Sequence, residues 1–497
     1  MKDSMKRETL RYERQAAQVT EQVLIEGEAT LPGSMRDAVT VLSVQASAHL
    51  TGVQAAQGRI AVRGKVGFQV LYTQGALTRI RVIETTCDFT HSLSAEGAAG
   101  GMRAQADVLV REVGGVPGSG RLALSAQLEI CAAAYEQAQA VVIAAMEDGE
   151  GLCTKMQTIA LTQSADLGGE KTLVREEFDL PEHLNAGGVL FAGGTATVTD
   201  VTGGNGRVGV SGVAEMRVWH RNRTPGEALV VTAHEAPFQV TIPAQIAEGV
   251  SLTARAEVRD AMADSAESDR KRTLRAEAEV CVKLYARQEE ETTLLADVYS
   301  TQGPALEVRT QELLMHSSRT CGDVRESLRI QAALPGDAPP METLLMALAR
   351  PLLWECESAG RRTKAEGVMD VTLLYLPVDS DIPYAVRTRE PFAMTFPLET
   401  GEGARCVLST VECAAGPTTS DRAELRLVMS MTAREDEVNK VTVVTDIEET
   451  PEEKQEKGFV LVWPAPGETR WETARRLRVP QESLRPAGPG AVMAFKR

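Results

Sequence analysis

A glycine-containing strand motif occurs three times along the chain and constrains the fold more than any other feature. In its first copy, residues 58–72, apolar residues alternate with polar or small ones, which is the period-two pattern of a half-buried strand. A glycine inside a strand marks a bulge or a close backbone approach, so a shared glycine position predicts a shared architecture. Each copy places a glycine four residues before a large apolar side chain, in the pairs Gly64 and Phe68, Gly212 and Met216, and Gly367 and Val371.

Two further landmarks keep the same register around each motif. A Leu-Pro pair precedes the motif, at 31–32, 180–181 and 334–335, and a phenylalanine follows it. Three unrelated segments would not match at all these places, so we predict a triplicated unit of roughly 130 residues that repeats about every 150. The predicted structural core of the repeats comprises Gly64, Phe68, Phe89, Gly212, Met216, Phe238, Gly367, Val371 and Phe392.

The pattern within each unit is also doubled. Residues 120–130 alternate in the same way as residues 58–68, and residues 274–284 do so in the second unit. This predicts two β-meanders packed against one another as a sandwich, with an accidental echo between alternating strands as the alternative. The predicted fold class is mainly β, with three tandem antiparallel β-sandwich-like repeats followed by a small α+β module.

The length of the chain, 497 residues, is typical of several domains. We expect the repeats to be connected mainly by linkers, and the first residues to form a polar leader that is either frayed or a short docking helix. The predicted parts are a leader at 1–20, β repeats at 21–148, 166–302 and 318–448, an acidic linker at 449–457 and a small module at 458–497.

Composition argues against several classes of function. The net charge of −16 disfavours nucleic-acid binding, which needs a basic surface for phosphate contacts. The eight cysteines are scattered without a CxxC pair, so we expect no zinc site and eight free thiols in a reducing cytoplasm. The first residues lack the apolar core of a signal peptide, and no stretch reaches the ~18 apolar residues of a membrane helix. We therefore expect a cytoplasmic protein without a membrane span.

Catalytic motifs are incomplete wherever the sequence approaches one. Residues 168–172 contain two glycines and a lysine, but with the wrong spacing for a phosphate-binding loop. Residues 209–212 lack the spacing of a nucleophile elbow, and the six histidines form no metal-binding pattern. We therefore expect no enzyme activity, catalytic residue, cofactor or metal. A hydrolase within the β units is the alternative, and no nucleophile–base pair supports it.

The last 40 residues differ in character from the repeats. Residues 459–463 predict a strand, and Thr469 with Glu472 fits a capping box at the start of a helix. Pro480 predicts a second short helix, and residues 491–495 predict a closing strand. The pattern therefore predicts the order strand, helix, helix, strand.

The aromatic and charged residues of this module suggest how it is used. Trp463 and Trp471 are compatible with a sugar-binding platform, but in so small a module we expect both in the core. The module carries seven basic residues against three acidic ones on an otherwise acidic chain. Complementary charge speeds encounter with an acidic partner.

The module resembles the LysM family. The resemblance rests on residues 467–479, which read Gly-Glu-Thr-Arg-Trp-Glu-Thr-Ala-Arg-Arg-Leu-Arg-Val, together with Leu484 and the Pro-Gly pair at 489–490. Arg470 and Thr473 depart from the family, which usually carries apolar residues at those positions. The resemblance implies a small βααβ fold. We expect glycan binding to be weak or absent because the loop after Leu484 is short.

The repeated units resemble the SPOCS family. Residues 64–72 match its Gly-x-Val-x-Phe-x-Val-Leu-Tyr strand, and the Pro-Phe pairs at 237–238 and 391–392 match its trailing motif. Several SPOCS units followed by one LysM module is the layout of the SipL-like family of spore-coat morphogenetic proteins in clostridia-like sporulating bacteria. This layout implies a non-enzymatic scaffold in spore-coat assembly, located in the mother-cell cytoplasm at the forespore surface.

The same resemblance implies a protein partner. In that family the LysM module binds the coat basement-layer ATPase, stage IV sporulation protein A, and the pair drives encasement of the forespore. A cell-wall protein that binds peptidoglycan through its LysM module is the alternative. We predict that the partner-binding residues of the module are Arg470, Trp471, Arg475, Arg476 and Arg478.

Overall fold

The computed structural model describes residues 5–31, 39–74, 80–147, 149–180, 184, 186–204, 206–222, 229–268, 271–401, 403–451, 458–488 and 490–496. Within these residues the fold is mainly β, as predicted, with 21 strands and one α-helix. That helix has eight residues, and no helix in this part of the chain is long and apolar enough to cross a membrane.

Three successive units contain six strands each, and shorter elements follow them. The first unit comprises β1 (Met5–Thr30), β2 (Thr40–Ala56), β3 (Arg59–Thr73), β4 (Arg81–Ser94), β5 (Arg103–Pro117) and β6 (Arg121–Met146). The second comprises β7 (Leu152–Asp179), β8 (Ala186–Gly204), β9 (Arg207–Asn222), β10 (Leu229–Pro243), β11 (Ser251–Ser268) and β12 (Lys271–Ser300). The third comprises β13 (Leu306–Ala333), β14 (Met341–Ala359), β15 (Arg362–Pro377), β16 (Tyr384–Phe396), β17 (Arg405–Thr418) and β18 (Arg422–Glu449). The C-terminal module comprises β19 (Gly458–Val462), α1 (Arg470–Leu477), a 3₁₀ turn (Gln481–Ser483), β20 (Arg485–Gly488) and β21 (Ala491–Lys496).

Each unit is a sandwich of two three-stranded antiparallel sheets. One sheet is a meander, in the orders β2-β3-β4, β8-β9-β10 and β14-β15-β16. The other sheet places the last strand of the unit between its first and fifth strands, in the orders β1-β6-β5, β7-β12-β11 and β13-β18-β17. The prediction of two meanders is therefore wrong for the second sheet, because the first strand of the unit pairs with the last. In the first unit this pairing runs from Met5 opposite Met146 to Thr30 opposite Arg121.

Alternating apolar residues from both sheets fill the core of each unit. Successive side chains of a strand point to opposite faces, so every second residue of the central strand reaches the core. On β3 these buried residues are Ile60, Val62, Val66, Phe68 and Val70. They pack in one cluster with Leu124 and Leu128 of β6, and equivalent clusters contain Met216 in the second unit and Val371 in the third.

The recurring glycine and the recurring phenylalanine form a cross-strand pair in every unit. Gly64 lies directly opposite Phe89, and the same register joins Gly212 to Phe238 and Gly367 to Phe392. A Cβ atom at Gly64 would lie 2.5 Å from Cζ of Phe89 and 2.6 Å from the carbonyl oxygen of His49. At Gly64 and Gly212 the glycine therefore leaves the space that the phenyl ring occupies, whereas at Gly367 a Cβ atom would overlap the carbonyl oxygen of Leu352. Each position requires a residue without a side chain, which explains why the glycine recurs.

The Gly64–Phe89 pair should be intolerant of change on either strand. Phe89 is only 7% exposed, and Phe89→Ala should lower the free energy of unfolding by about 3–5 kcal/mol through the cavity that it leaves. Gly64→Ala should lower it by about 1–3 kcal/mol, because the added methyl group overlaps the ring and a backbone carbonyl. Urea unfolding measures both effects.

Gly52→Ala is the matched control for this prediction. Gly52 lies in β2 of the same unit, and an added Cβ would meet no atom within 4 Å. This substitution should leave stability unchanged or raise it by about 0.4–1 kcal/mol. A loss below about 1 kcal/mol for Phe89→Ala would contradict the assigned core position.

The first strand of each unit begins earlier than the repeat predicted from the sequence. β1, β7 and β13 start at residues 5, 152 and 306, whereas the predicted repeats start at 21, 166 and 318. The prediction of a leader, frayed or helical, is wrong for residues 5–20, because they pair with β6. The predicted acidic linker begins at the last residue of β18, and its residues 452–457 lie outside the described residues.

The early parts of these strands form a core that all three units share. One cluster contains Leu10 and Tyr12 of β1, Ile159 and Leu161 of β7, and Leu313 and Met315 of β13. The last strands add Ala140, Val142 and Ala144 of β6, Leu294 of β12 and Val443 of β18. The expectation that linkers are the main connection between units is therefore wrong. We call this cluster the shared core.

A β-bulge separates the shared core from each unit's own core. The register of β1 with β6 shifts between Gln15 and Ala17, and that of β13 with β18 shifts between Cys321 and Asp323. The register of β7 with β12 shifts next to Tyr285. Because a bulge bends and twists the strand that carries it, each long pair of strands can serve two cores that face different directions.

A second apolar junction joins the meander sheets of the three units. Leu71 of β3 and Leu374 of β15 follow the motif glycines by seven residues, and both are buried. They belong to one cluster with Phe191 of β8, and Trp219, which holds the equivalent position on β9, packs against it. The motif residue seven positions after the glycine therefore contacts the other units, whereas the residues that alternate with it fill the core of its own unit.

A buried charge cluster joins the first and third units beside the shared core. His316 of β13 is fully buried, with Nδ1 3.2 Å from Oε1 of Glu13 and Nε2 3.3 Å from Oδ1 of Asp436. The second contact is an ion pair without hydrogen-bond geometry. Burial alone lowers the pKa of His316, but the two carboxylates outweigh it and hold this pKa above its ordinary value.

The carboxylates of this cluster have further cationic partners. Arg103 of β5 donates to Glu13 at 2.6 Å, and Arg434 of β18 lies 3.1 Å from Asp436. Arg434 also donates to the hydroxyl of Tyr135, whose ring centroid lies 4.5 Å from that of His316. Although burial raises the pKa of Asp436, His316 and Arg434 together lower it below its ordinary value. The cluster therefore pairs buried charges from strands of two units.

Stability should fall as the pH rises through the folded-state pKa of His316. Because this pKa is raised above the unfolded value of about 6.5, the contribution of His316 is fully present below that value and is lost above the folded pKa. His316→Gln should therefore lower the free energy of unfolding more at about pH 6 than at about pH 9. Asp436 contributes at both pH values, since its lowered pKa makes its contribution disappear only in acid. Urea unfolding at the two pH values measures the difference, and equal losses would contradict the prediction.

The third unit contains a disulfide that the sequence does not predict. Cys356 of β14 and Cys406 of β17 are bonded, with their Cα atoms 6.4 Å apart. They lie on the neighbouring edge strands of the two sheets, 50 residues apart in sequence, so spacing along the chain gave no sign of the pair. The prediction of eight free thiols is therefore wrong for these two residues. Cys87, Cys131, Cys153, Cys281 and Cys413 are free.

Candidate protein-binding site

The C-terminal module is a three-stranded antiparallel sheet with a helix packed on it. Its strand order is β19-β21-β20, so the closing strand lies in the centre. The predicted βααβ order is wrong at the second helix, which is only the 3₁₀ turn at 481–483, and an additional strand, β20, follows it. Pro480 starts this turn as expected, but Leu484 already has extended backbone angles, so no room remains for a helix.

The helix α1 begins as its sequence predicts. The hydroxyl of Thr469 accepts a hydrogen bond from the backbone N–H of Glu472, and the carboxylate of Glu472 accepts one from the backbone N–H of Thr469 at 2.7 Å. This second bond lowers the pKa of Glu472. The helix ends at Leu477 and is followed by its C-cap, Arg478, a left-handed residue with φ of 54°. Both ends of the short helix are therefore capped within the module.

Two of the predicted partner-binding residues form bonds within the module. Arg470 donates to the carbonyl oxygens of Gln481 at 3.2 Å and Leu484 at 3.1 Å, which ties the start of α1 to the 3₁₀ turn. Arg476 forms a two-fold ion pair with Glu468, at 2.9 and 3.1 Å. The Arg476 guanidinium lowers the pKa of Glu468. Both arginines therefore stabilise loops of the module, although Arg470 keeps a positive charge that these bonds do not neutralise.

Two other predicted residues contact the second unit through one carboxylate. The indole N–H of Trp471 donates to Oδ2 of Asp297 at 2.7 Å, and Nη1 of Arg475 donates to the same oxygen at 2.9 Å. Asp297 lies near the end of β12, with a side chain that is 16% exposed. A partly buried carboxylate that receives a cation and an indole N–H forms a strong, directional contact.

Tyr299 of the second unit enters the core of the module. It is 3% exposed and packs in one cluster with Ala474, Leu477 and Leu484. Its ring meets that of Trp471 edge to face at 4.9 Å, and its hydroxyl donates to the carbonyl oxygen of Val479 at 2.9 Å. Burial raises the pKa of Tyr299 far above its ordinary range. The two parts of the chain therefore share a core.

Arg478 completes the contact between the module and the second unit. Its Nε donates to the carbonyl oxygen of Ser300 at 3.0 Å, and its Nη2 donates to that of Gly303 at 2.6 Å. The left-handed backbone at Arg478 places this side chain beyond the end of α1, next to the end of β12. The structure thus places Trp471, Arg475 and Arg478 together in one contact with the second unit, whereas Arg470 and Arg476 bond elsewhere.

The opposite face of the module sheet exposes five large apolar side chains. Phe459 and Leu461 of β19 lie opposite Phe495 and Met493 of β21, and Trp463 follows at the end of the strand. Phe459 is 77% exposed and Trp463 is 63% exposed. The prediction that Trp463 belongs to the core is therefore wrong. We call these five residues the apolar sheet face.

The sequence contains a pattern that predicts this exposed apolar face, although the prediction above did not use it. All five residues from Phe459 to Trp463 are apolar, so both faces of the strand are apolar. A sheet that is covered by a helix on one side needs only one apolar face, which Val460 and Val462 supply in the module core. The second set was therefore available for contacts outside the module.

A basic residue borders the apolar sheet face. Arg485 of β20 is exposed and lies directly opposite Met493 in register. Residues that are directly opposite in an antiparallel pair project from the same side of the sheet, so Arg485 shares the side of the apolar sheet face. An apolar patch with a cationic border fits a protein surface that combines apolar and acidic residues.

The remaining chemistry of the described residues is sparse. No group of three or more His, Cys, Asp or Glu side chains in this part of the chain is placed to hold a metal ion. A cleft of about 350 Å³ between the first and second units has Glu84, Phe191 and Met262 in its lining. Burial raises the pKa of Glu84.

Comparison with known proteins relates the first unit to one family. Residues 37–114 match the family model described as SipL, SPOCS domain. The matched segment runs from β2 into β5 and includes the Gly64–Phe89 pair, but it does not reach the other units or the module. Comparisons with curated proteins and with solved structures gave no match.

Proposed function

We propose that this protein is a non-enzymatic scaffold in spore-coat assembly that acts at the forespore surface in the mother-cell cytoplasm. The SPOCS match in the first unit supports a role in sporulation, and the recurrence of the Gly–Phe pair extends that resemblance to the other two units. In this proposal the C-terminal module is a LysM-like module that binds the coat basement-layer ATPase, stage IV sporulation protein A.

The apolar sheet face is the observation that carries the proposal. Large apolar side chains that stay exposed together on a small domain mark an interaction surface. Aromatic residues supply much of the energy at such surfaces, and Phe459, Trp463 and Phe495 give this face three of them. Of the residues predicted from the sequence, Arg470 and Arg476 remain candidate contacts with the partner, whereas Trp471, Arg475 and Arg478 contact the second unit.

The three β units suit a scaffold because they form one body. The shared core and the junction around Leu71, Phe191 and Leu374 bury apolar side chains from different units against one another. Domains that share a large apolar interface move little relative to one another. A partner bound to the module would therefore be held at a defined position on a larger surface.

Charge placed on the apolar sheet face should weaken partner binding without unfolding the module. Phe459→Asp and Leu461→Asp should each weaken binding of the ATPase by about 30-fold, the loss that corresponds to ~2 kcal/mol at an energetically dominant contact. Both side chains are more than half exposed, so the fold should persist. Calorimetric titration of the full chain with the purified ATPase measures the affinity.

Trp354→Asp is the matched control, because Trp354 is 72% exposed but lies on β14 of the third unit. It should bind the ATPase like the wild type. Unchanged binding by both module variants would contradict the proposed surface. Tight retention of the wild type on purified peptidoglycan would instead favour the alternative, a cell-wall glycan-binding protein.

A further inference from the structure

The contact between the module and the second unit is more extensive than a tethered domain needs. Asp297, Tyr299 and the carbonyl groups of Ser300 and Gly303 lie together at and just after the end of β12. Against them lies one side of the module, formed by Trp471, Arg475, Arg478 and Val479. We call Asp297, Tyr299, Ser300 and Gly303 together the socket.

The socket supplies part of the module's own core. The module has about 40 residues, a size at which a domain rarely buries enough apolar surface to fold without additional support. Tyr299 provides such support, since it is buried among Ala474, Leu477 and Leu484 and bonds the backbone of Val479. A module that left the socket would expose this part of its core.

The socket also determines which side of the module is open. The helix and the inner faces of β19 and β21 form the core with Tyr299, so the docked side is the helix side of the sheet. The apolar sheet face lies on the other side, because residues alternate along β19 between the module core and the exterior. Docking and partner binding therefore use different sides of the same small sheet.

We propose that the socket, with Asp297 and Tyr299 as its positioning residues, holds the module in one orientation that presents the apolar sheet face. Trp471, Arg475 and Arg478 then influence partner binding by docking the module, and they do not touch the partner. This inference rests on the proposed function of the module as the partner-binding element. A module fixed in this way binds more tightly than a free one, because its position is set before the partner arrives.

The docking half of the proposal can be measured without a partner. A specific protease site introduced at 452–457 allows the linker to be cut after folding, and gel filtration at micromolar concentration shows whether residues 458–497 stay with the three units. The wild-type fragment should stay bound. Asp297→Arg should release it, because this substitution removes the acceptor of Trp471 and opposes Arg475 with a like charge.

Glu290→Arg is the matched control for the change of charge. Glu290 lies on the same strand, β12, seven residues before Asp297, and its side chain is exposed. This variant should retain the fragment. Asp297→Glu, which preserves the charge, should retain it at least in part.

A charge exchange distinguishes docking from direct contact with the partner. Asp297→Arg and Arg475→Asp should each weaken binding of the ATPase to the uncut chain by about tenfold through loss of orientation. The double variant restores an ion pair of opposite sense but not the Asp297 acceptor of Trp471, so it should recover much of both fragment retention and partner binding. If Arg475 contacted the partner directly, the double variant would recover retention alone.

The possible results separate this inference from the proposed function. Recovery of both properties by the double variant supports the socket as a positioning device. The positioning inference is overturned if Asp297→Arg retains the fragment. It is also overturned if a variant that releases its fragment after cleavage binds the partner as tightly as the wild type when it is uncut. In both cases the proposed function stands. Failure of the wild-type chain to bind the ATPase overturns the proposed function and, with it, the positioning role.

Discussion

The pairing of the first strand with the last in each unit is the constraint on which the rest of the structure depends. β6 buries Leu124, Leu128 and Ala134 in the core of the first unit, and Ala140 and Val142 in the shared core. One continuous ladder therefore serves two cores, and a slip of one residue would turn both apolar sets outward. The bulge that separates the two parts allows a single strand to satisfy both.

The sequence was sufficient to predict the repeat and the residues at its heart, because a period of two and a glycine at a fixed offset are local signals. It was insufficient for contacts between units. Leu71 and Leu374 occupy the alternate face of their strands, which a half-buried strand would expose, and only the assembled molecule shows what covers them. The apolar residues of segment 5–20, among them Leu10, are too irregularly spaced to predict a strand, and the residues that cover Leu10 and Tyr12 include several from other units. Cys356 and Cys406 are joined by topology alone.

The module shows the same division between local and distant information. Its capping box follows from residues three positions apart, and it forms as predicted. The roles of Trp471 and Arg475 depend on Asp297, 174 and 178 residues away, which no local pattern connects to them. Their positive charge and aromatic ring fit a partner site when read in isolation. The structure shows them engaged with their own chain instead, and it leaves the opposite side of the sheet open.

The position of β1 also sets the order in which the molecule can assemble during synthesis. Its ladder partner lies at 121–146, so at ~5–20 residues per second β1 leaves the ribosome many seconds before it can pair. The shared core waits longer, until Val443 has been made. A long unpaired strand invites wrong partners, and charged residues on it discourage them. Such charge is supplied along β1 by Lys6, Arg7, Arg11 and Arg14. It therefore disfavours incorrect pairing of β1 during the time before β6 has been synthesised.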